Sequence, residues 1–122
     1  MWRVRILVEA AEELENLTDR ERASVLDAFL KLEAVGDQLG APHSSNVEGV
    51  SAYLRELRPR RGDSPWRALY RRIGDEMVVG AVGPEAQKDR RGFNRAVKLA
   101  IQRLDEFAER KREHDKAGEG SH

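Results

Sequence analysis

The side chains in this sequence that could act on an anionic substrate are its arginines. Of the 22 basic residues, 17 are arginine and five are lysine, and 22 acidic residues bring the formal net charge to zero. The charges are segregated, because residues 1–50 carry a net charge of −5 and residues 51–72 carry +5. A planar guanidinium group suits phosphate oxygens and base edges better than an ammonium group does. A high-GC genome, which favours arginine codons, explains most of the excess of arginine over lysine. It does not explain the clustering, and the clustered arginines favour a phosphate-bearing ligand.

Three groups of basic residues are candidates for one phosphate-binding patch. In the segment 66–73, strand alternation puts Arg67, Leu69 and Arg71 on one face. A second group lies in the preceding strand and turn, and a third follows the last predicted strand. If the strands pair as a meander, the groups converge and offer charge-assisted hydrogen bonds to phosphates. The second and third groups are Arg55, Arg58, Arg60 and Arg61, and Lys88, Arg90 and Arg91.

The same arginines have a second interpretation that residue chemistry leaves open. They could form a solvated face whose charges pair with carboxylates of the acidic N-terminal helices. In that case the basic residues would serve stability and solubility, and the region would bind no ligand.

Other classes of chemistry find little support. The chain has no cysteine, which excludes disulfides, cysteine-ligated metals and thiol nucleophiles. His43, His114 and His122 lack the spacing of metal ligands, so we expect no metal and no cofactor. No nucleophile elbow, P-loop or dinucleotide fingerprint occurs. No apolar run approaches the ~20 residues that span a bilayer, and the N-terminus lacks a signal-peptide pattern, so we expect a cytoplasmic protein.

The elements that must position the basic residues follow from hydrophobic periodicity. Alternation or β-rich composition predicts strands at 2–9, 52–58, 66–73 and 76–82. Helical spacing and a capping box at Thr18 predict helices at 10–17, 18–36 and 93–108. Residues 37–50 are predicted to be a loop.

The order β-α-α-β-β-β-α predicts one α+β domain over residues 1–113. We expect a small antiparallel sheet with two N-terminal helices and a C-terminal helix, the helices covering one face. Its other face would then be open for the basic strand residues. Residues 114–122 are predicted to form a polar, flexible tail.

Three motifs, in this order and spacing, resemble HigB-type toxins of the RelE/ParE toxin–antitoxin superfamily. The first is the leucine-glycine-x-proline loop at 39–42. The second is the L-R-E-L-R-P segment at 54–59, and the third is the strand W-R-A-L-Y at 66–70. The resemblance covers about residues 2–108.

This resemblance implies a RelE-like fold and the toxin of a type II toxin–antitoxin system, an endoribonuclease that cleaves mRNA on the ribosome. Its partners would be a helix-turn-helix antitoxin, the ribosome and mRNA. Cleavage would be metal-free, through attack of the ribose 2′-hydroxyl on the adjacent phosphate. By position, the catalytic residues would be Arg67, Lys88 and Arg91.

The remaining basic residues would then hold the RNA backbone, and we expect Arg67→Ala to abolish growth arrest with the fold intact. The residues assigned to the RNA backbone are Arg55, Arg58, Arg60, Arg61, Arg71 and Arg90.

Two departures from the family pattern support an alternative. Glu85 stands where many relatives have a lysine, and Asn94 stands where they have a tyrosine. Tyr70 could replace that tyrosine, although its predicted face is opposite to that of Arg67. The alternative is a non-catalytic toxin or partner-binding module of the same fold, for example a gyrase inhibitor. A standalone nucleic-acid-binding domain is a third, weaker reading.

Overall fold

A computed structural model describes residues 1–51 and 53–120 and contains one five-stranded sheet. The strands lie in the order β1-β5-β4-β3-β2. They are β1 (Arg3–Ile6), β2 (Ser44–Asn46), β3 (Arg55–Leu57), β4 (Trp66–Ile73) and β5 (Glu76–Pro84). The helices are α1 (Val8–Glu15), α2 (Asp19–Val35) and α3 (Arg90–Gly120), with short 3₁₀ turns at Gly36–Gln38 and Pro59–Gly62.

The α+β class and the predicted element order are confirmed, with two corrections to the sheet. β2 lies inside the segment predicted to be a loop, because its sequence Ser-Ser-Asn is short and polar and gives no alternation. The sheet is mixed rather than antiparallel, since β1 runs parallel to β5 with Arg3 opposite Glu76. The chain between these two strands forms both N-terminal helices and the rest of the sheet.

Helices cover both faces of the sheet, which corrects the prediction of one open face. One face packs on α1 and α2, and the other packs on α3. The physical reason is the composition of β5, whose residues 77–82 are an unbroken run of apolar side chains and glycine. Such a run is typical of a strand buried on both sides. The basic strand residues therefore have no open sheet face to occupy.

The local signals at helix and turn ends are confirmed. Thr18 caps α2, its Oγ1 accepting a hydrogen bond of 3.3 Å from the backbone N–H of Glu21. Gly74 and Asp75 form the two-residue turn between β4 and β5, and Gly74 has a φ of +64°. Glycine adopts this left-handed conformation without the steric cost of a Cβ atom.

The C-terminal helix is longer than predicted. α3 continues through His114 to Gly120, over most of the segment predicted as a polar tail, and Ser121 and His122 lie outside the described residues. Among the residues that the structure describes, no helix is both long enough and apolar enough to cross a membrane.

Close contact between α3 and β5 depends on small residues. A Cβ atom added to Gly83 would lie 2.5 Å from the Cβ atom of Ala96, and neither backbone can move independently of its element. We expect Gly83→Ala to lower the free energy of unfolding by ~1–3 kcal/mol, the usual cost of overpacking. Urea unfolding measures this loss. Gly40→Ala is the matched control, because a Cβ at Gly40 meets no atom within 4 Å. Equal stability of the two variants would contradict the packing argument.

Candidate functional site

Strand register brings most of the predicted basic residues to one end of the sheet, here called the sheet end. β3 and β4 pair with Leu57 opposite Ala68, and β4 and β5 pair with Arg67 opposite Gly83. The turn after β3, the start of β4 and the segment after β5 therefore meet there. A hydrogen bond of 2.8 Å from the Glu85 amide to the Pro65 carbonyl joins two of these segments. The meander that the sequence predicted is confirmed.

Arg67 lies at the centre of the sheet end and is buried, with only 3% of its surface exposed. Its Nη1 donates to the carbonyls of Ser64 at 2.7 Å and of Trp66 at 2.9 Å. Its Nη2 lies 3.5 Å from both the Gly62 carbonyl and Glu85 Oε2. The side chain thus holds the turn that precedes its own strand.

Two carboxylates balance the charge of Arg67. Its Nε lies 3.9 Å from Glu56 Oε1, and its Nη2 lies 3.5 Å from Glu85 Oε2. Burial lowers the pKa of Arg67 and the nearby Arg58 adds to that effect, while Glu56 and Glu85 oppose it. Glu85, noted from sequence as a departure from the family lysine, is therefore a direct partner of the central arginine.

Arg55 and Arg71 do not join the sheet end. Arg71 lies four residues further along β4, a separation of ~13 Å at the usual strand rise. Its Nη1 pairs with Asp105 of α3 at 2.7 Å. The guanidinium of Arg55 instead donates to Ser44 Oγ at 3.0 Å and Asn46 Oδ1 at 2.8 Å.

Arg60 shows that the second interpretation from sequence also applies to one residue of the turn. Its Nη1 lies 2.8 Å from Glu21 Oε1 and 3.2 Å from Ser24 Oγ, both on α2. An arginine of the basic segment thus pairs with a carboxylate of the acidic N-terminal helices, as expected for a structural role.

The other predicted cations of the sheet end are unpaired. In the described part of the chain, none of them has a carboxylate within ion-pair distance, and all except the half-buried Arg58 are exposed. These residues are Arg58, Arg61, Lys88, Arg90 and Arg91. They are available to an anionic ligand. Arg55, Arg60, Arg67 and Arg71, by contrast, already have hydrogen-bond or ion-pair partners within the protein.

The turn that carries Arg60 and Arg61 has an unusual backbone. Both residues have left-handed conformations, with φ of 53° and 59°. A side chain with a Cβ atom pays ~1–2 kcal/mol for this conformation, and non-glycine residues that adopt it cluster at functional sites. Arg67 helps to hold the turn in place through the Gly62 and Ser64 carbonyls.

A cleft of about 190 Å³ lies between this turn and α2. Arg58, Arg60 and Arg61 line it together with Lys31 and His43, two residues that the sequence reasoning did not assign to the site. His43 follows the proline of the leucine-glycine-x-proline loop, which was a signal that could have identified it. Lys31 is an exposed residue of α2, outside the stripe of buried residues, and no sequence motif marks it.

Lys31 and His43 form a side-chain hydrogen bond. Lys31 Nζ lies 3.4 Å from His43 Nδ1. An ammonium group can only donate, so Nδ1 accepts and the proton of the neutral ring lies on Nε2. Burial lowers the pKa of His43, and the positive charges of Lys31 and Arg61 lower it further.

Tyr70 cannot replace the tyrosine that is absent at Asn94. Tyr70 is 2% exposed, and its hydroxyl lies 2.6 Å from Ser44 Oγ on the α2 side of the sheet, opposite to Arg67 as predicted. Asn94 itself is exposed on the first turns of α3.

Within residues 1–51 and 53–118, no three histidine or carboxylate side chains cluster as metal ligands would.

Comparisons with known proteins agree with this architecture. Residues 12–105 match the family described as phage-derived protein Gp49-like (DUF891). Among solved structures, a free-state E. coli toxin RelE with two arginines replaced by alanine is similar, with a TM-score of 0.57 and 17% sequence identity. The alignment covers 80% of this chain and 95% of that one. A search of curated proteins finds no significant match.

Removal of Arg67 is expected to destabilise the fold, contrary to the expectation from sequence that Arg67→Ala leaves it intact. The change would leave Glu56, Glu85 and the turn carbonyls without their buried partner, and breaking a buried ion pair costs ~3–5 kcal/mol. Chemical denaturation measures the loss. Arg3→Ala is the control, because Arg3 is exposed on β1 and should change stability by less than ~0.5 kcal/mol. A full-stability Arg67→Ala protein would show that Arg67 does not hold the turn.

Glycine at position 61 is expected to stabilise the protein. Arg61→Gly removes the left-handed strain, and the greater freedom of glycine in the unfolded chain offsets part of the gain. We expect a net rise of ~0.5–1 kcal/mol in the free energy of unfolding, read from thermal or urea unfolding. Arg61→Ala removes the same charge but keeps a Cβ atom, so its stability should stay near that of the wild type. A destabilised Arg61→Gly protein would mean that the Arg61 side chain supports the turn.

Proposed function

Since the chain belongs to the phage-derived Gp49-like family and has the fold of RelE, we propose that it is the toxin of a type II toxin–antitoxin system and cleaves mRNA on the ribosome. The observation that carries the proposal is the set of unpaired cations at the sheet end. An exposed arginine or lysine without a carboxylate partner keeps its full capacity to bind phosphate. A solvated, purely structural face would not need to gather four such exposed cations and the half-buried Arg58 at one end of a sheet.

The proposed reaction is an intramolecular transesterification at phosphorus. The 2′-hydroxyl of a ribose loses its proton to water and its oxygen bonds to the adjacent phosphorus. The bond from phosphorus to the 5′-oxygen breaks, and a cyclic phosphate and a 5′-hydroxyl result. Negative charge grows on the phosphate oxygens in the transition state, and preorganised cations stabilise it. Lys88 and Arg91 are exposed beside the sheet end and would supply this charge. The Lys88 ammonium would also protonate the leaving 5′-oxygen.

Arg67 is proposed to act as a positioning residue. Direct contact with a phosphate would require it to leave two carboxylates and three carbonyls, so its surroundings favour a role through the turn that it holds. The remaining RNA-backbone residues would be Arg58, Arg61 and Arg90, which have no carboxylate partner among the described residues. The proposed antitoxin would present acidic side chains to the same cations and so compete with RNA.

A non-catalytic toxin is the second candidate, and one observation favours it. Glu85 lies 3.5 Å from Arg67, so the position of a family lysine carries the opposite charge beside the central arginine. Asn94 cannot accept or donate a proton as a catalytic group. Loss of one acid or base lowers the rate by ~10²–10⁴-fold, which is sufficient to leave a protein that binds its target without cutting.

Primer extension on an mRNA incubated with bacterial ribosomes and the purified protein tests the endonuclease. We expect new 5′ ends that require ribosomes, and a loss of at least ~10²-fold in cleavage rate for Lys88→Ala combined with Arg91→Ala. Lys98→Ala is the matched control, because Lys98 is an exposed lysine further along α3. Wild-type protein that is folded but yields no new ends would exclude the nuclease and direct the work to gyrase inhibition.

A further inference from the structure

We propose that the cleft between α2 and the Arg60–Arg61 turn binds one phosphodiester group of single-stranded RNA, with Lys31, Arg61 and the His43 ring as its ligands. The inference rests on the proposed function for the identity of its ligand, RNA. It adds a phosphate subsite on the α2 side of the sheet end, whereas Lys88 and Arg91 lie at or just before the start of α3, which packs on the other face of the sheet.

The net positive charge of the cleft favours an anionic ligand. Four cations line it, and Asp27 is the single carboxylate among its lining residues. Arg60 is neutralised by Glu21 behind it, but Lys31, Arg58 and Arg61 have no carboxylate partner in the part of the chain that the structure describes. Arg58 also has a buried Nε–H with no hydrogen-bond acceptor. A bound phosphate would provide the negative charge that these groups lack.

The hydrogen bond from Lys31 determines which nitrogen of the His43 ring is free to donate to a ligand. Because Nδ1 accepts from Lys31, the Nε2–H of the neutral ring is free to donate to a phosphate oxygen. The ring therefore acts as a hydrogen-bond donor in both of its protonation states.

The size and lining of the cleft favour a backbone group over a base or a small molecule. Its volume of about 190 Å³ lies below the ~300 Å³ at which small-molecule pockets begin. No phenylalanine, tyrosine or tryptophan is among its lining residues, so the cleft lacks the large aromatic faces on which bases stack most strongly. Binding is therefore expected to depend little on RNA sequence.

The backbone of the turn adds an independent observation. Arg61 is exposed and has no described partner, yet it occupies a left-handed conformation that glycine adopts at lower cost. The position keeps a cation at the mouth of the cleft at the expense of stability. A purely structural turn would favour glycine there.

A nuclear magnetic resonance titration of the histidine rings tests the subsite directly. Asp27, Lys31, Arg58, Arg60 and Arg61 are the charged groups that line the cleft around His43. Burial and the positive charges of Lys31 and Arg61 hold the pKa of His43 below its usual range. A bound anion favours the charged ring, so saturating inorganic phosphate should raise the pKa of His43. His114, exposed on α3, is the internal control and should not respond. An unchanged His43 pKa at saturating phosphate would contradict the subsite.

Binding of a labelled single-stranded RNA oligonucleotide, without ribosomes, gives the second measurement. We expect Lys31→Ala and Arg61→Ala each to weaken binding roughly tenfold and to reduce the slope of log affinity against log salt by ~0.7. Arg61→Gly should weaken binding equally while it raises the melting temperature. His43→Gln should remove the part of the pH dependence of RNA binding that comes from the ring, and Lys98→Ala should leave affinity and slope unchanged.

The outcomes separate this inference from the proposed nuclease. Cleft variants that bind RNA and cut ribosome-bound mRNA as the wild type does would overturn the subsite and leave the nuclease in place. Wild-type protein that binds RNA through the cleft but yields no cleavage would support the subsite and exclude the nuclease. If RNA binding responds only to Lys88 and Arg91, the cleft carries no phosphate.

Discussion

The buried guanidinium of Arg67 is the interaction on which the sheet end depends. Removing a charged group from water costs several kcal/mol, and that cost is offset only if the charge is paired and its N–H groups find acceptors. Here the compensation comes from the carbonyls of the adjacent turn and from two carboxylates of other segments, Glu56 of β3 and Glu85 after β5. One side chain thereby links β3, the turn and the segment after β5.

This arrangement divides the basic residues into two groups with different physical roles. Arg55, Arg60 and Arg71 each donate to carboxylates, an amide, a hydroxyl or carbonyls, and each ties one element to another. The unpaired residues lie beyond them, at the sheet end and along the cleft. A binding surface needs both groups, because exposed cations that repel one another converge only where a rigid scaffold holds them together.

Sequence reasoning predicted the elements whose signal is local and missed the features that depend on pairing. Alternation in β4 correctly placed Arg67 and Arg71 on one face, and the capping box correctly located the start of α2. The parallel pairing of β1 with β5 and the polar strand β2 carry no local signal, since strand partners are chosen across the fold. The burial of Arg67 was missed for a related reason: only the folded chain brings Glu56 and Glu85 near it, and the carbonyls of the preceding turn carry no signal in the sequence.

The left-handed arginine pair gives the clearest physical argument for a binding function at the sheet end. Gly62 follows directly and also has a positive φ, of 97°, so the turn already uses glycine where its backbone requires it. Arg60 forms an ion pair with Glu21 and a hydrogen bond with Ser24, and these contacts explain why an arginine stands at this position. Arg61 has no such partner among the described residues. A strained, exposed and unpaired cation beside a basic cleft lowers the stability of the free protein, and a phosphate ligand would compensate for that loss by neutralising the charge that the turn presents.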